Sequence, residues 1–189
     1  MKERIRKYDS GFSLAETLMA VLILLLVASV VAAGIPAAVN AYTKAVDAAN
    51  AQTLLSTTVN ALRSELSTAW GVEISPPGHT DEIYYYSSRT GSKTRLYIDS
   101  TRNTIVIQDY IKYNSYTETQ AGATPHDLVP DVMRKKTKDS NEKFSIVFTI
   151  PSISSDIVSF ASLEVKDGSR DVAKLEPFSV RLLGTSLNP

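Results

Sequence analysis

The sequence predicts an α+β protein, a long N-terminal helix followed by an antiparallel β domain. Three observations predict it. No charged residue occurs between Glu16 and Lys44. The apolar positions after that run keep helical spacing to about Ala69. Beyond Trp70, short β-branched and aromatic runs alternate with turn residues.

The first half of the helix is apolar on every side. Thr17 to Thr43 is rich in Leu, Val, Ile and Ala, and about 20 helical residues cross the ~30 Å hydrocarbon core of a bilayer. The preceding residues 2–9 hold four basic and two acidic side chains, a net formal charge of +2. A basic flank of this kind places the N-terminus in the cytoplasm. A secretory signal peptide is the plain alternative, but its apolar core spans only about 7–15 residues. An uncleaved signal anchor is a second alternative. Gly34 and Pro36 fall inside the run. Pro36 lacks an N–H and its ring crowds the carbonyl of Ala32, which predicts a kink or local loosening there.

The second half of the helix, residues 44–71, reads as amphipathic. Leu55, Val59, Leu62, Leu66 and Ala69 supply one face, and Lys44, Asp47, Asn50, Gln52, Asn60, Arg63 and Glu65 the polar remainder. Trp70-Gly71 is expected to end it, the glycine in a left-handed cap, with Pro76-Pro77-Gly78 after it. Expected strands run over residues 82–87, 94–99, 104–110, 143–150, 157–166 and 175–183. Asp99 to Asn103 joins the second and third of these as a hairpin, and Asp167 to Arg170 joins the last two. A polar loop fills about 114–142 and includes the basic cluster Arg134, Lys135, Lys136 and Lys138, read as a solvated loop.

Composition narrows the chemistry. The 189 residues hold 20 basic and 20 acidic side chains, so net charge points to no nucleic-acid partner, and the absence of cysteine excludes disulfides and thiolate sites. His79 and His126 are the only histidines and have no ligand-spaced partner, so no metal, cofactor or catalytic residue is expected. Seven tyrosines (84, 85, 86, 97, 110, 113 and 116) cluster in the strand region, and they read as packing against sheet and helix.

One junction carries specific chemistry. Gly11-Phe12-Ser13-Leu14-Ala15-Glu16 ends the basic leader and opens the apolar run with a lone acid. A carboxylate at the edge of a membrane segment costs up to about 2.5–3.5 kcal/mol, so it calls for a partner. Cleavage after Gly11 would give Phe12 a free amine, largely cationic at neutral pH. Such an amine and the Glu16 carboxylate pair within one helix or between stacked helices, and a single polar pair sets register in an apolar interface.

This junction and the apolar run after it resemble the processing site of type IV prepilins and of the pseudopilins of type II secretion and competence systems. The resemblance covers roughly residues 5–45. It implies cleavage by a prepilin peptidase between Gly11 and Phe12, methylation of the new Phe12 amine, and a role for Glu16 in assembly. It also implies the pilin fold: a leader over 1–11, a transmembrane and assembly helix over 12–43, an amphipathic half over 44–71, and a β domain over 72–189 whose single antiparallel sheet packs on that half. The implied partners are other pilin subunits, the peptidase, the membrane, and an assembly platform with its ATPase. The implied route is from a single-pass cytoplasmic membrane protein with an extracytoplasmic β domain to a cell-surface or periplasmic filament. Two readings stand beside it: a minor pilin whose tip domain is adhesive or binds DNA, and a membrane-tethered binding domain that never polymerises. The disulfide common in that family is impossible here.

Overall fold

The computed structural model describes residues 13–75, 82–109, 124–136 and 143–184. One helix, α1, spans Leu14–Ser67. The chain divides into two compact units, Met1–Lys44 and Ala45–Pro189.

In the first unit α1 carries Leu, Val, Ile and Ala outward on all sides, and every residue from 13 to 42 is exposed. The hydroxyls of the run turn back on the helix: Thr17 Oγ1 donates to the Leu14 carbonyl at 2.9 Å and Ser29 Oγ to that of Leu26 at 2.7 Å. Side-chain donors satisfied in this way suit an apolar surrounding, where an unpaired polar group is costly. The helix passes through Gly34 and Pro36 without interruption.

In the second unit α1 buries one stripe, Ala51, Leu54, Thr58, Val59, Leu62 and Leu66, the spacing of a single helical face. Three antiparallel sheets complete the unit. The largest has the order β1 (Trp70–Ile74), β2 (Glu82–Tyr86), β3 (Lys93–Asp99), β4 (Thr104–Asp109), β5 (His126–Asp127). The second places β9 (Leu163–Asp167) between β6 (Ser145–Phe148) and β10 (Arg170–Leu175), and the third places β8 (Ile157–Phe160) between β7 (Ser152–Ser154) and β11 (Phe178–Arg181). Ile83, Tyr85, Leu96, Ile105 and Ile107 from the large sheet join the helix stripe in one core. Phe160 is the aromatic hub of the small sheets, stacked on Phe178 at 4.8 Å and edge-on to Phe148 at 5.6 Å.

Polar rivets fix the helix on the large sheet. Tyr85 Oη donates to Glu65 Oε1 at 3.1 Å and Ser87 Oγ to the same oxygen at 3.0 Å. Burial, then the Glu65 charge, pushes the Tyr85 hydroxyl far above the usual phenol range. At the helix end the Leu183 N–H donates to the Ser67 carbonyl at 2.7 Å. Gly184 lies against the same end, where a Cβ would meet the Ala69 carbonyl oxygen at 2.8 Å.

Four expectations are corrected. Trp70-Gly71 is no helix cap: α1 ends at Ser67, and Gly71 takes its left-handed φ of 60° inside β1, at a register shift against β2. The stretch 157–166 is two strands, broken at Ala161-Ser162 and divided between two sheets. Residues 175–183 hold the last residue of β10 and the short β11, and the Asp167–Arg170 turn instead joins β9 to β10, a strand the sequence reading missed. The β domain has three sheets where a single one was implied. The Asp99–Asn103 hairpin is as expected, with Asp99 Oδ1 accepting from the N–H groups of Thr101 and Arg102 and Asn103 at a φ of 52°. Pro76-Pro77-Gly78 lies outside the described residues.

Candidate functional site

The N-terminal junction is visible from Ser13 onward; Gly11 and Phe12 lie outside the described residues. Ser13 is the N-cap of α1. Its Oγ accepts from the Glu16 N–H at 3.2 Å, and its own N–H donates to Glu16 Oε2 at 3.0 Å. This reciprocal pair is a capping box. It satisfies two of the helix's unpaired N-terminal donors and sets a negative charge at the positive end of the dipole. The signal was in the sequence as Ser-x-x-Glu, and the assembly reading of Glu16 obscured it.

The capping box places the carboxylate. Glu16 folds back onto the Ser13 N–H, and it is the only charged side chain of α1 before Lys44. Carboxylate oxygens hold more lone pairs than the single Ser13 N–H uses, so the cap leaves capacity for a second donor. Below Glu16 the helix is exposed, and it is long and apolar enough to cross a membrane. Gly34, farther along, has nothing within 4 Å of a built Cβ.

The second unit holds a charged cluster that the sequence reading assigned to solvent. Arg134 ends a 3-10 turn, Asp131–Arg134, and is 3% exposed. Its Nη2 meets Asp127 Oδ2 at 3.1 Å and Asp131 Oδ1 at 2.9 Å, while Nη1 donates to the Arg102 carbonyl at 3.0 Å. Arg102 Nη1 contacts the other Asp127 oxygen at 3.3 Å, and Lys143 Nζ contacts the other Asp131 oxygen at 2.6 Å. The Lys143 hydrogen bond, followed by the charge of Arg134, holds the Asp131 carboxyl below its usual range. Lys136 is also engaged, 2.7 Å from Asp167. Lys138 lies outside the described residues.

Of the tyrosines, Tyr84 and Tyr85 are buried. Tyr86 stacks on Trp70 at 4.1 Å, and Tyr97 lies under the Arg95 guanidinium at 4.3 Å. Tyr110, Tyr113, Tyr116 and His79 lie outside the described residues. His126 is exposed on β5. Among the described residues no group of three His, Cys, Asp or Glu side chains is placed to hold a metal ion. No protein-family model, no curated protein and no solved structure matches the chain.

Proposed function

We propose that the chain is a structural subunit of a type IV pilus or pseudopilus, processed after Gly11 and polymerised through its N-terminal helix. The observation that carries this reading is Glu16, a lone acid at the head of a helix whose residues 17–43 carry no charge and whose residues 13–42 are all exposed. The cap on Ser13 needs only a side-chain acceptor at position 16, and a charge at the membrane edge is unfavourable to insert. A subunit that must find one axial register among identical apolar neighbours does have a use for it. The Phe12 amine released by cleavage and then methylated would complete the pair, either in its own chain or in the next. A head-to-tail contact of this kind does not close on itself and so grows into a fibre.

On this reading the first half of α1 resides in the cytoplasmic membrane before assembly and in the filament interior afterwards. The second unit faces outward, and the prepilin peptidase and an ATPase-driven platform are the partners. Glu16→Gln tests it, because glutamine keeps a side-chain acceptor for the Ser13 N–H and loses the charge. Filament incorporation in sheared surface fractions should fall at least about tenfold, the equivalent of ~1.4 kcal/mol in the assembly contact. Incorporation equal to that of the parent chain would refute the role given to the charge.

A further inference from the structure

The 3-10 turn Asp131–Arg134 reverses the arrangement that water favours. Its arginine is 3% exposed, while Val132 and Met133 are 69% and 40% exposed. Slackness does not explain the reversal, because the turn is fixed at both ends. The Met133 N–H donates to the Pro130 carbonyl at 3.0 Å, and the Phe144 N–H donates to the Arg134 carbonyl at 2.7 Å. Arg134 pins it from the inside through Asp127, Asp131 and the Arg102 carbonyl. The fold thus holds an apolar pair outward on a rigid base.

The pair is distinctive within its unit. Among the described residues there, the other exposed large apolar side chains are Ile153, Ile157 and Leu183. Ile153 pairs with Val158 and Ile157 with Ser154, adjacent pairs that face opposite sides of their sheet. Leu183 stands beside Ser67 at the C-terminal end of α1. Single exposed apolar residues of that kind are ordinary. Val132 and Met133 are contiguous, and they line one groove with Asn50, Thr53 and Leu54 of α1.

That position selects what covers them. Asn50 follows Thr43, the end of the uncharged run, by seven residues, about 10 Å of helix. The run itself is about 40 Å long, roughly 10 Å more than a hydrocarbon core, an excess that tilting relieves. A second copy of the chain is a poorer occupant, since two side chains fall far short of the ~800 Å² per partner that specific interfaces bury. A bilayer needs no matching shape, and the tether keeps it at high local concentration. Lys135, exposed beside the pair, can hold its ammonium among the headgroups. We propose that Val132 and Met133 form a second membrane contact, inserted in the lipid interface beside the α1 anchor. This inference rests on the reading of the first half of α1 as a membrane span.

The chain has no cysteine, so a single introduced one can be labelled cleanly. A fluorophore on Lys135→Cys in the full chain, one chain per lipid nanodisc, is read against phosphatidylcholine bearing a headgroup nitroxide. Quenching should exceed that of the same fluorophore on Leu183→Cys at least about threefold, and Val132→Asn with Met133→Gln should remove most of the excess. The double substitution should leave the unfolding temperature unchanged, because both side chains are exposed. Equal quenching with and without it overturns the proposal. So does an excess that appears only in discs holding two chains, which would assign the pair to a second copy. A label on Ala28→Cys, read with an acyl-chain nitroxide, reports the anchor separately. Quenching at 28 without an excess at 135 overturns the second contact alone, and no quenching at 28 overturns the anchor and the contact together.

Discussion

Arg134 gives the sharpest energetic prediction. Truncation to alanine removes a 3% exposed side chain and four hydrogen bonds, two to carboxylates and two to the carbonyls of Arg102 and Phe144. Breaking a buried ion pair costs about 3–5 kcal/mol when the partner charge is left alone. Here neither acid is left alone. Asp127 keeps Arg102 and Asp131 keeps Lys143, and the Asp131 side chain is 45% exposed and so well screened. The Arg102 carbonyl, which loses its charged donor, adds about 1 kcal/mol, and the vacated volume adds more. The expected loss for Arg134→Ala is therefore about 3 kcal/mol, a fall of roughly 10 °C in unfolding temperature for a domain of this size. Arg134→Lys keeps the charge but not the planar fork and should recover less than half of the loss. Denaturant unfolding of the full chain in detergent, followed by Trp70 fluorescence, measures all three proteins. A loss below about 0.5 kcal/mol for the alanine variant would place Arg134 in solvent and refute the reasoning.

Other expectations concern the core, the rivet and the cap. Leu62→Ala empties a fully buried position on the helix stripe and should cost about 2–5 kcal/mol in the same unfolding assay. Tyr85 has its proton held on by burial beside Glu65; its folded pKa is raised, so its contribution is complete below the unfolded value near 10 and is lost as pH rises above it. Absorbance at about 295 nm should show Tyr85 ionising only together with unfolding, and a phenolate signal from native protein would contradict that. Ser13→Ala deletes one half of the capping box and should cost about 1 kcal/mol of local helix stability, read as faster amide exchange in the first turn. It leaves the Glu16 charge in place, so filament incorporation should persist. If Ser13→Ala abolishes incorporation as fully as Glu16→Gln does, the cap, and not the charge, governs assembly.

Legibility in the sequence followed the range of the interactions. The helix was readable because its signals are local: a charge-free run, then apolar positions at helical spacing over Leu55, Val59, Leu62 and Leu66. The Asp99–Asn103 hairpin was readable for the same reason, since Asp99 bonds amides only two and three residues ahead. Sheet membership was not readable. Ile157 to Lys166 is one continuous β-favouring run, and only distant partners, β11 for one half and β6 for the other, divide it. Trp70-Gly71 was taken for a helix stop because Gly71 suits a cap as well as it suits a bulge. Arg134 was misread because a basic run looks solvated in isolation. Asp131 three residues earlier was the available clue, but Asp127 and the Arg102 carbonyl reach it only through the fold. At the junction the lone acid was evident, while its local partner Ser13 was overlooked.

The central claim is that Gly11 to Glu16 is a processing and assembly junction, and the mature N-terminus tests it most directly. Protein purified from the native host should be sequenced from its N-terminus and weighed intact. The account predicts a chain that begins at Phe12 with a mass increased by one methyl group, recovered from sheared filaments. Recovery of an intact Met1, or of a chain that begins near Gly34 after signal-peptide removal, would contradict it.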